Sequence, residues 1–412
     1  MSVYNRYKFI KSLYNYVYKD VHLNMVVNIM LWSLAASKKQ RFWRSFMKIV
    51  GNLDVSQLLQ FESSEFIVMK GRYVRKDHLE LLKNVLDKIG YDGEFANAEN
   101  WHHKFTFHPL TIVNVYRYVF SIKGSFLSLK EKCVLANELI YYCNTIDSVA
   151  KIKFKKVKKF LCLADALEIE NLMTQFFQSK GIQTYSLMDG IYFVYKGDVP
   201  FDVIQYENLV TDCKLSWGEY SQNELVKYGI APGKIQIAGY PKFVEQTKLK
   251  SNNSYKKCLL LLARDSFRDS NMFLLNILSH YSKNSQEIWI KLHPRCEKAY
   301  YQDFASSNNM HIVSSEKTIN ECLNQKDFDY AISVNTTAYY EALIRGLPCL
   351  RLYDGKFNLM YGMEDAFGSL EEFKVAYDKI RNMKKDDYQS MIDETLKYAI
   401  GFGLDRYKEI II

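Results

Sequence analysis

Lys257-Cys258-Leu259-Leu260-Leu261-Leu262-Ala263 is apolar without a break from Cys258 onward. A strand formed here would be buried on both faces, as strands are in a parallel sheet covered by helices. The chain beyond it alternates in the same sense. The spacing predicts helices over 270–282, 297–307, 318–324 and 338–345, the last stopped by Gly346. Between them fall apolar strands at 287–292, 311–313, 330–334 and 348–352. Five strands separated by helices predict an open parallel sheet with helices on both sides.

A second pattern of this kind lies upstream. Strands are expected at 160–163, 183–188, 213–217 and 234–238, and helices at 164–178 and 219–228, the latter ended by Gly229. A spacer rich in Ser, Asn and Lys, 246–255, separates the two patterns. The first 150 residues read as mostly helical, with periodic apolar positions over 7–17, 78–89, 110–120 and 127–142. One short strand is expected there, at 66–69, before a helix for which Asp77 is the expected N-cap. The expected division is a mostly helical N-terminal part of the first domain (1–150), the Rossmann-like core of that domain (151–248), a second Rossmann-like domain (256–368) and C-terminal helices (369–412). The fold class is therefore α/β: two Rossmann-type parallel-sheet domains facing a central cleft.

Composition supports a buried interior and narrows the function. Of 412 residues 48% are apolar and 25% charged, which excludes disorder, and 15% are aromatic against only 6 prolines, which favours long regular elements. The net charge of +9 suits anionic substrates or an anionic surface. No RNA-binding string, zinc-finger spacing or basic heptad accompanies it, so nucleic acid is not an expected partner. Eight cysteines stand singly without a Cys-x-x-Cys, so neither a disulfide framework nor a zinc site is expected, and a reducing, cytoplasmic setting fits. The apolar stretch 23–37 is shorter than the roughly 20 residues of a spanning helix and reads as a core helix.

In open parallel sheets ligands bind beyond the carboxyl ends of the strands. Those positions carry Asp189-Gly190, Gly239-Tyr240-Pro241, Arg264-Asp265-Ser266, His293-Pro294-Arg295 and Asn335-Thr336-Thr337. Asp-Gly is a strong turn dipeptide; an Asp at a strand end beside a residue without a side chain also suits a general base. Lys291, His293 and Arg295 place three basic groups within five residues, and Pro294 holds His293 out of helical geometry. That set suits a leaving nucleotide phosphate. Asn335, Thr336 and Thr337 read either as a helix N-cap or as an anion site. Glu341, one turn on, reads either as a first-turn acid or as a ligand of ribose or sugar hydroxyls. His108-Pro109 repeats the dipeptide without a preceding strand and is a decoy.

Strand-Asp-Gly in the first domain, strand-Lys-x-His-Pro-Arg in the second and a hydroxyl pair before a helix resemble bacterial sialyltransferases, polysialyltransferases and related capsule glycosyltransferases. Trp217-Gly218-Glu219 through Gly239-Tyr240-Pro241, and Ser333 to Thr337 with Glu341-Ala342 and Gly346-Leu347-Pro348, are similar to the wider group of surface-polysaccharide enzymes. The resemblance covers about residues 158–352. It implies the two-domain GT-B fold, Asp189 as catalytic base, His293 as phosphate ligand and acid, and Thr336 and Thr337 as phosphate ligands. The chain departs from the sialyltransferase motif in having Met188 where a second acid is usual, and it lacks the signal of CDP-glycerol phosphotransferases around Asn335.

The expected activity is transfer of a sugar from CMP-sialic acid or a UDP-sugar to a growing bacterial surface glycan, inverting and without a metal or other cofactor. Partners are then the nucleotide-sugar donor and a lipid-linked or oligosaccharide acceptor. A CDP-linked glycerol-phosphate or sugar-phosphate transferase and a sugar-nucleotide epimerase share the fold and stay open, as does a binding module. Six lysines within 151–159, with the aromatic N-terminal helices, suggest a peripheral position on anionic lipid at the inner face of the cell membrane.

Overall fold

The computed structural model describes the chain apart from residues 73, 196–198, 243–245, 250–255, 283–285, 295, 315–316, 326–327 and 402, and the side chains at 77, 281–282 and 324–325. Lys257–Leu261 is the first strand of a six-stranded parallel sheet, paired with Glu287–Lys291 on one side and Tyr330–Ser333 on the other. Met310–Val313 extends the first side; Cys349–Leu352 and Ala366–Phe367 extend the second. Counted from Lys257, the strand order is 3-2-1-4-5-6, the doubly wound order. Leu260, Ile290, Ile332 and Leu350 are fully buried along its middle. Burial of such side chains stabilises by about 1.5–3 kcal/mol each, which is why unbroken apolar runs became central strands.

The other six-stranded sheet runs Phe95–Asn97, Phe66–Lys70, Lys159–Cys162, Gln183–Leu187, Cys213–Ser216, Ile235–Ile237, all parallel. Two of its strands come from the first 150 residues. Phe66–Lys70 sits inside the sheet and Phe95–Asn97 forms its edge, so the N-terminal part completes this domain. Phe95-Ala96-Asn97 carries too little apolar character to be read as a strand without its partner.

Most expected elements lie within one to four residues of their predicted bounds. The helix after Phe66–Lys70 is Lys76–Ile89, flanked by Arg75, so Asp77 falls inside its first turn rather than at the N-cap. The stretch 23–37 forms two short helices, Leu23–Val26 and Asn28–Ala35, with Leu31, Leu34 and Ala35 buried. Of the expected spacer, 250–255 lies outside the described residues. Its start packs on the second domain and the C-terminal helices: the Thr247 N–H donates to the Ile344 carbonyl at 2.8 Å and the Leu249 N–H to Gln389 at 2.9 Å.

The C-terminal helices return to the first domain. Asp405–Ile411 lies against Lys76–Ile89, where Lys88 pairs with Asp405 at 2.5 Å, and the Tyr407 hydroxyl donates to the Gly239 carbonyl at 2.7 Å. All eight cysteines are free thiols, six of them buried. Among the described residues no helix is long and apolar enough to cross a membrane.

Candidate active site

The carboxyl ends of both sheets open on one shared cleft. Asp189, Gly190, Arg264, His293, Asn335, Thr336 and Thr337 all line it. The local design is the same at each exit. A buried apolar residue ends the strand region and the next residue is polar: Met188 before Asp189, Ala263 before Arg264, Leu292 before His293, Val334 before Asn335. The apolar neighbour fixes the backbone, and the polar side chain emerges where the sheet stops.

Asp189 is mostly buried. Its Oδ2 lies 3.9 Å from Nδ1 of His78, at the start of Lys76–Ile89. That is ion-pair range and too long for a hydrogen bond. Arg75 lines the same wall. Neither Arg75 nor His78 was anticipated. The strand-exit rule, applied to Phe66–Lys70 as well as to the later strands, points at both. Gly190 has no left-handed φ, and a Cβ built on it would meet nothing within 4 Å. The glycine therefore leaves open space in the cleft rather than relieving backbone strain.

Behind Asp189 lies a buried charged cluster. The Lys214 ammonium donates to the Leu187 carbonyl at 2.7 Å, approaches Asp165 at 3.6 Å and sits 5.8 Å from the Tyr192 ring centroid. Burial acts to lower its pKa, but Tyr192, Asp165 and Asp189 outweigh that and raise it, so Lys214 stays charged. Burial pushes the Glu170 carboxyl up to about 8, with Asp165 and Asp189 adding to the rise, against the Ala164 N–H and Lys214. Glu170 also fills the space beside Gly71, where a Cβ would lie 2.0 Å from its Oε2.

On the opposite wall, the His293 carbonyl accepts from the Cys296 N–H at 2.9 Å, and the Cys296 thiol donates to the Ala263 carbonyl at 3.2 Å. The His-Pro turn is thus pinned to the neighbouring strand exit. Asn335 has a left-handed φ of 35°. It caps no helix: its Oδ1 accepts from the buried Met360 N–H at 3.1 Å. Its Nδ2 is buried with no partner among the described residues. Buried amides are rarely left so, and this one belongs to a residue lining the cleft. Thr336 and Thr337, half-buried, precede a helix of seven residues, Ala338–Ile344.

Four expected residues fall elsewhere, and a fifth, Arg295, is placed neither in the cleft nor out of it. Lys291 is buried beneath the exit, its ammonium donating to the Leu292 carbonyl at 3.2 Å, and burial lowers its pKa. Strand alternation puts it on the face of His293, yet it is covered and does not line the cleft. Pro294 is exposed outside the cleft lining, and Arg295 lies outside the described residues. Gly239 (φ 94°) and Glu341 belong to a seam between the domains. The Gly239 N–H donates to the Trp217 carbonyl at 3.1 Å, and the Tyr240 hydroxyl donates to Glu341 Oε1 at 2.8 Å. A Cβ on Gly218 would lie 2.4 Å from the Tyr398 carbonyl. The Trp217 to Pro241 stretch therefore seats the C-terminal helices and joins the domains.

Among the described residues no three His, Cys, Asp or Glu side chains gather where they could hold a metal ion. No family model matches the chain, and no curated protein matches it in sequence. Among solved structures it is similar to UDP-GlcNAc 2-epimerase from Neisseria meningitidis bound to UDP-GlcNAc (13% identity, 84% of this chain and 97% of that one, TM-score 0.44). It is also similar to UDP-GlcNAc 2-epimerase from Methanocaldococcus jannaschii (12%, 84% and 98%, TM-score 0.48). A third is the lipopolysaccharide outer core galactosyltransferase WaaB in its apo form (11%, 84% and 97%, TM-score 0.46). The GT-B-like assignment rests on the strand orders and the shared cleft.

Proposed function

We propose that this chain is a nucleotide-sugar-dependent glycosyltransferase that extends a bacterial surface glycan, with CMP-sialic acid or a UDP-sugar as donor. One observation carries the reading: Asp189 of one domain and His293, Thr336 and Thr337 of the other line a single cleft. Asp189 takes the proton of an acceptor hydroxyl, the acceptor oxygen attacks the anomeric carbon from the first-domain side, and the nucleotide phosphate leaves toward the second. Attack from the face opposite the leaving group inverts the anomeric centre. His293 and the Thr336 and Thr337 hydroxyls hold the departing phosphate, and the unpartnered Asn335 amide is a further donor for it. Gly190 leaves room for the acceptor beside the base.

A thermal-shift panel of CMP, CDP, UDP and GDP identifies the donor nucleotide, since a ligand of the native state alone raises the melting temperature. Product analysis with the matching labelled donor then decides the reaction. Inverted glycoside supports the proposal. Phosphorus carried to the acceptor, an epimerised sugar nucleotide formed without acceptor, or tight binding with no turnover each overturns it.

A further inference from the structure

Residues 21–53 hold five Lys or Arg, all between 38 and 48, and residues 101–130 hold four; neither stretch has an Asp or Glu. Together they match the net charge of the entire 412-residue chain, +9, so the remainder is balanced. Large apolar side chains stand exposed among these cations, notably Trp43 (81%), Phe105 (75%), Leu110 (78%) and Leu129 (72%).

The fold makes these residues one face. Phe42–Phe46 packs on the helix Leu129–Val149, where Asn137 donates to the Ser45 hydroxyl at 2.9 Å and Lys130 lies 5.2 Å from the Phe42 ring centroid. Beyond Phe42–Phe46 the chain meets the other stretch, the Thr106 N–H donating to the Val50 carbonyl at 3.0 Å. From there Pro109–Ser121 runs back along Leu129–Val149. Its outward side carries Leu110, Val113, Arg117 and Phe120, at helical spacing and all exposed. The circuit closes where Lys132 lies 5.9 Å from the Phe120 ring centroid and donates to the Ile122 carbonyl at 2.8 Å.

We infer that this face docks on an anionic lipid surface. Exposed rings and aliphatic chains within a mainly basic field, in which Lys48 pairs with Glu138 and Lys104 with Asp54 at 3.7 Å, are complementary to a headgroup layer of negative charge over an apolar interior. Position agrees. Leu129–Val149 ends at the amino edge of the first sheet, just before Lys159–Cys162, so its Leu129 end lies toward the carboxyl edge, where the cleft opens. The lysines of 151–159 sit at the far end of that 21-residue helix, about 30 Å away. Lys158 there pairs with Glu65 at 3.1 Å, and the Lys159 ammonium donates to the Ile412 carbonyl at 3.0 Å. The expected lysine run is therefore a solvated edge and not the docking surface. Delivery of a lipid-linked acceptor to the cleft by this face rests on the proposed function; the docking itself does not.

Co-sedimentation of the full chain with phosphatidylcholine vesicles, with and without about 30% phosphatidylglycerol, tests it. Partitioning is expected to rise at least about tenfold with the anionic lipid and to fall at least about tenfold from about 0.1 to about 0.5 M salt. Trp43→Ala/Leu110→Ala is expected to lose at least about tenfold with an unchanged melting temperature, and Lys155→Glu/Lys156→Glu to lose less than about twofold. Binding indifferent to anionic lipid, or unchanged in the first variant, overturns the inference. So does a solution dimer that the first variant dissolves, which would make the face an interface between copies. Vesicle binding without any sugar transfer would leave the inference standing and overturn only the proposed function.

Discussion

The guanidinium of Arg264 stands 2.7 Å from the carboxylate of Asp202, joining the first strand exit of one domain to the cleft loop of the other. The same guanidinium donates to the Tyr195 hydroxyl at 3.3 Å. Burial acts to lower the Arg264 pKa, but Asp202 and the hydroxyls of Tyr195 and Tyr206 outweigh it, so the charge is kept and largely matched. Any donor phosphate reaching Arg264 must compete with Asp202. Asp202→Asn is therefore expected to tighten nucleotide binding by about threefold or more while lowering the melting temperature. A double-mutant cycle with Arg264→Met should give a coupling of about 0.5–3 kcal/mol. Calorimetric titration and thermal unfolding read the two effects.

Asp189 and the proposed nucleotide ligands stand on opposite walls, so their losses should separate. Asp189→Asn keeps shape and removes the base; turnover is expected to fall about 10²–10⁴-fold, with nucleotide affinity within about threefold. Thr336→Val/Thr337→Val should instead weaken the nucleotide by about tenfold or more, since two hydroxyl donors to an anion are lost. Steady-state kinetics beside equilibrium nucleotide binding check the split.

Much of this arrangement was legible because parallel sheets write themselves as apolar runs. Leu259 to Leu262 and Tyr330 to Val334 could hardly be anything but buried strands, and the residues after them fell at the cleft. What escaped depended on partners distant in sequence. Phe95–Asn97 is a strand only because Phe66–Lys70 lies beside it, and His78 matters only because helix packing brings it to Asp189. Lys291 and Glu341 were misplaced because strand and helix periodicity give a face but not the neighbour covering it. Gly239 resembled a ligand-binding glycine, and only contacts distant in sequence, such as Tyr240 with Glu341 and Tyr407 with Gly239, show the seam.

Gly190 offers a test of space against stability. Its φ is not left-handed and a Cβ would meet nothing within 4 Å. Gly190→Ala should therefore leave stability within about 0.5 kcal/mol. A methyl group projecting into the cleft beside Asp189 should raise the acceptor KM several-fold. A melting temperature well below that of the parent protein would mean that the glycine serves the backbone after all.

Asn335 combines a strained φ of 35° with a buried bond to the Met360 N–H. Asn335→Ala removes the acceptor and leaves that N–H unsatisfied, at a cost of about 1–3 kcal/mol. Asn335→Asp keeps an acceptor for Met360 but replaces the unpartnered amide with a carboxylate oxygen facing the proposed phosphate. It should retain more stability than the alanine variant and bind nucleotide at least about tenfold more weakly. Equal nucleotide affinity in the parent and aspartate proteins would remove Asn335 from the binding site.

Glu170 links the cleft floor to pH. Its folded-state pKa of about 8 lies above the ordinary 4.5 because burial disfavours the carboxylate, with Asp165 and Asp189 adding repulsion. Between pH 4.5 and 8 the folded protein holds a proton that the unfolded chain has released. Stability must then fall as pH rises through that window, by at most about 1.4 kcal/mol per pH unit. Glu170→Gln removes the ionisation and keeps an oxygen for the Ala164 N–H, which now reaches Oε1 at 3.2 Å. The variant and parent should melt close together near pH 5, and the variant should melt progressively higher toward pH 8. The partially buried Asp189 above would then face a neutral amide throughout, so the pH dependence of transfer should change as well. Parallel melting curves for the two proteins from pH 5 to pH 8 would show that Glu170 carries no such proton.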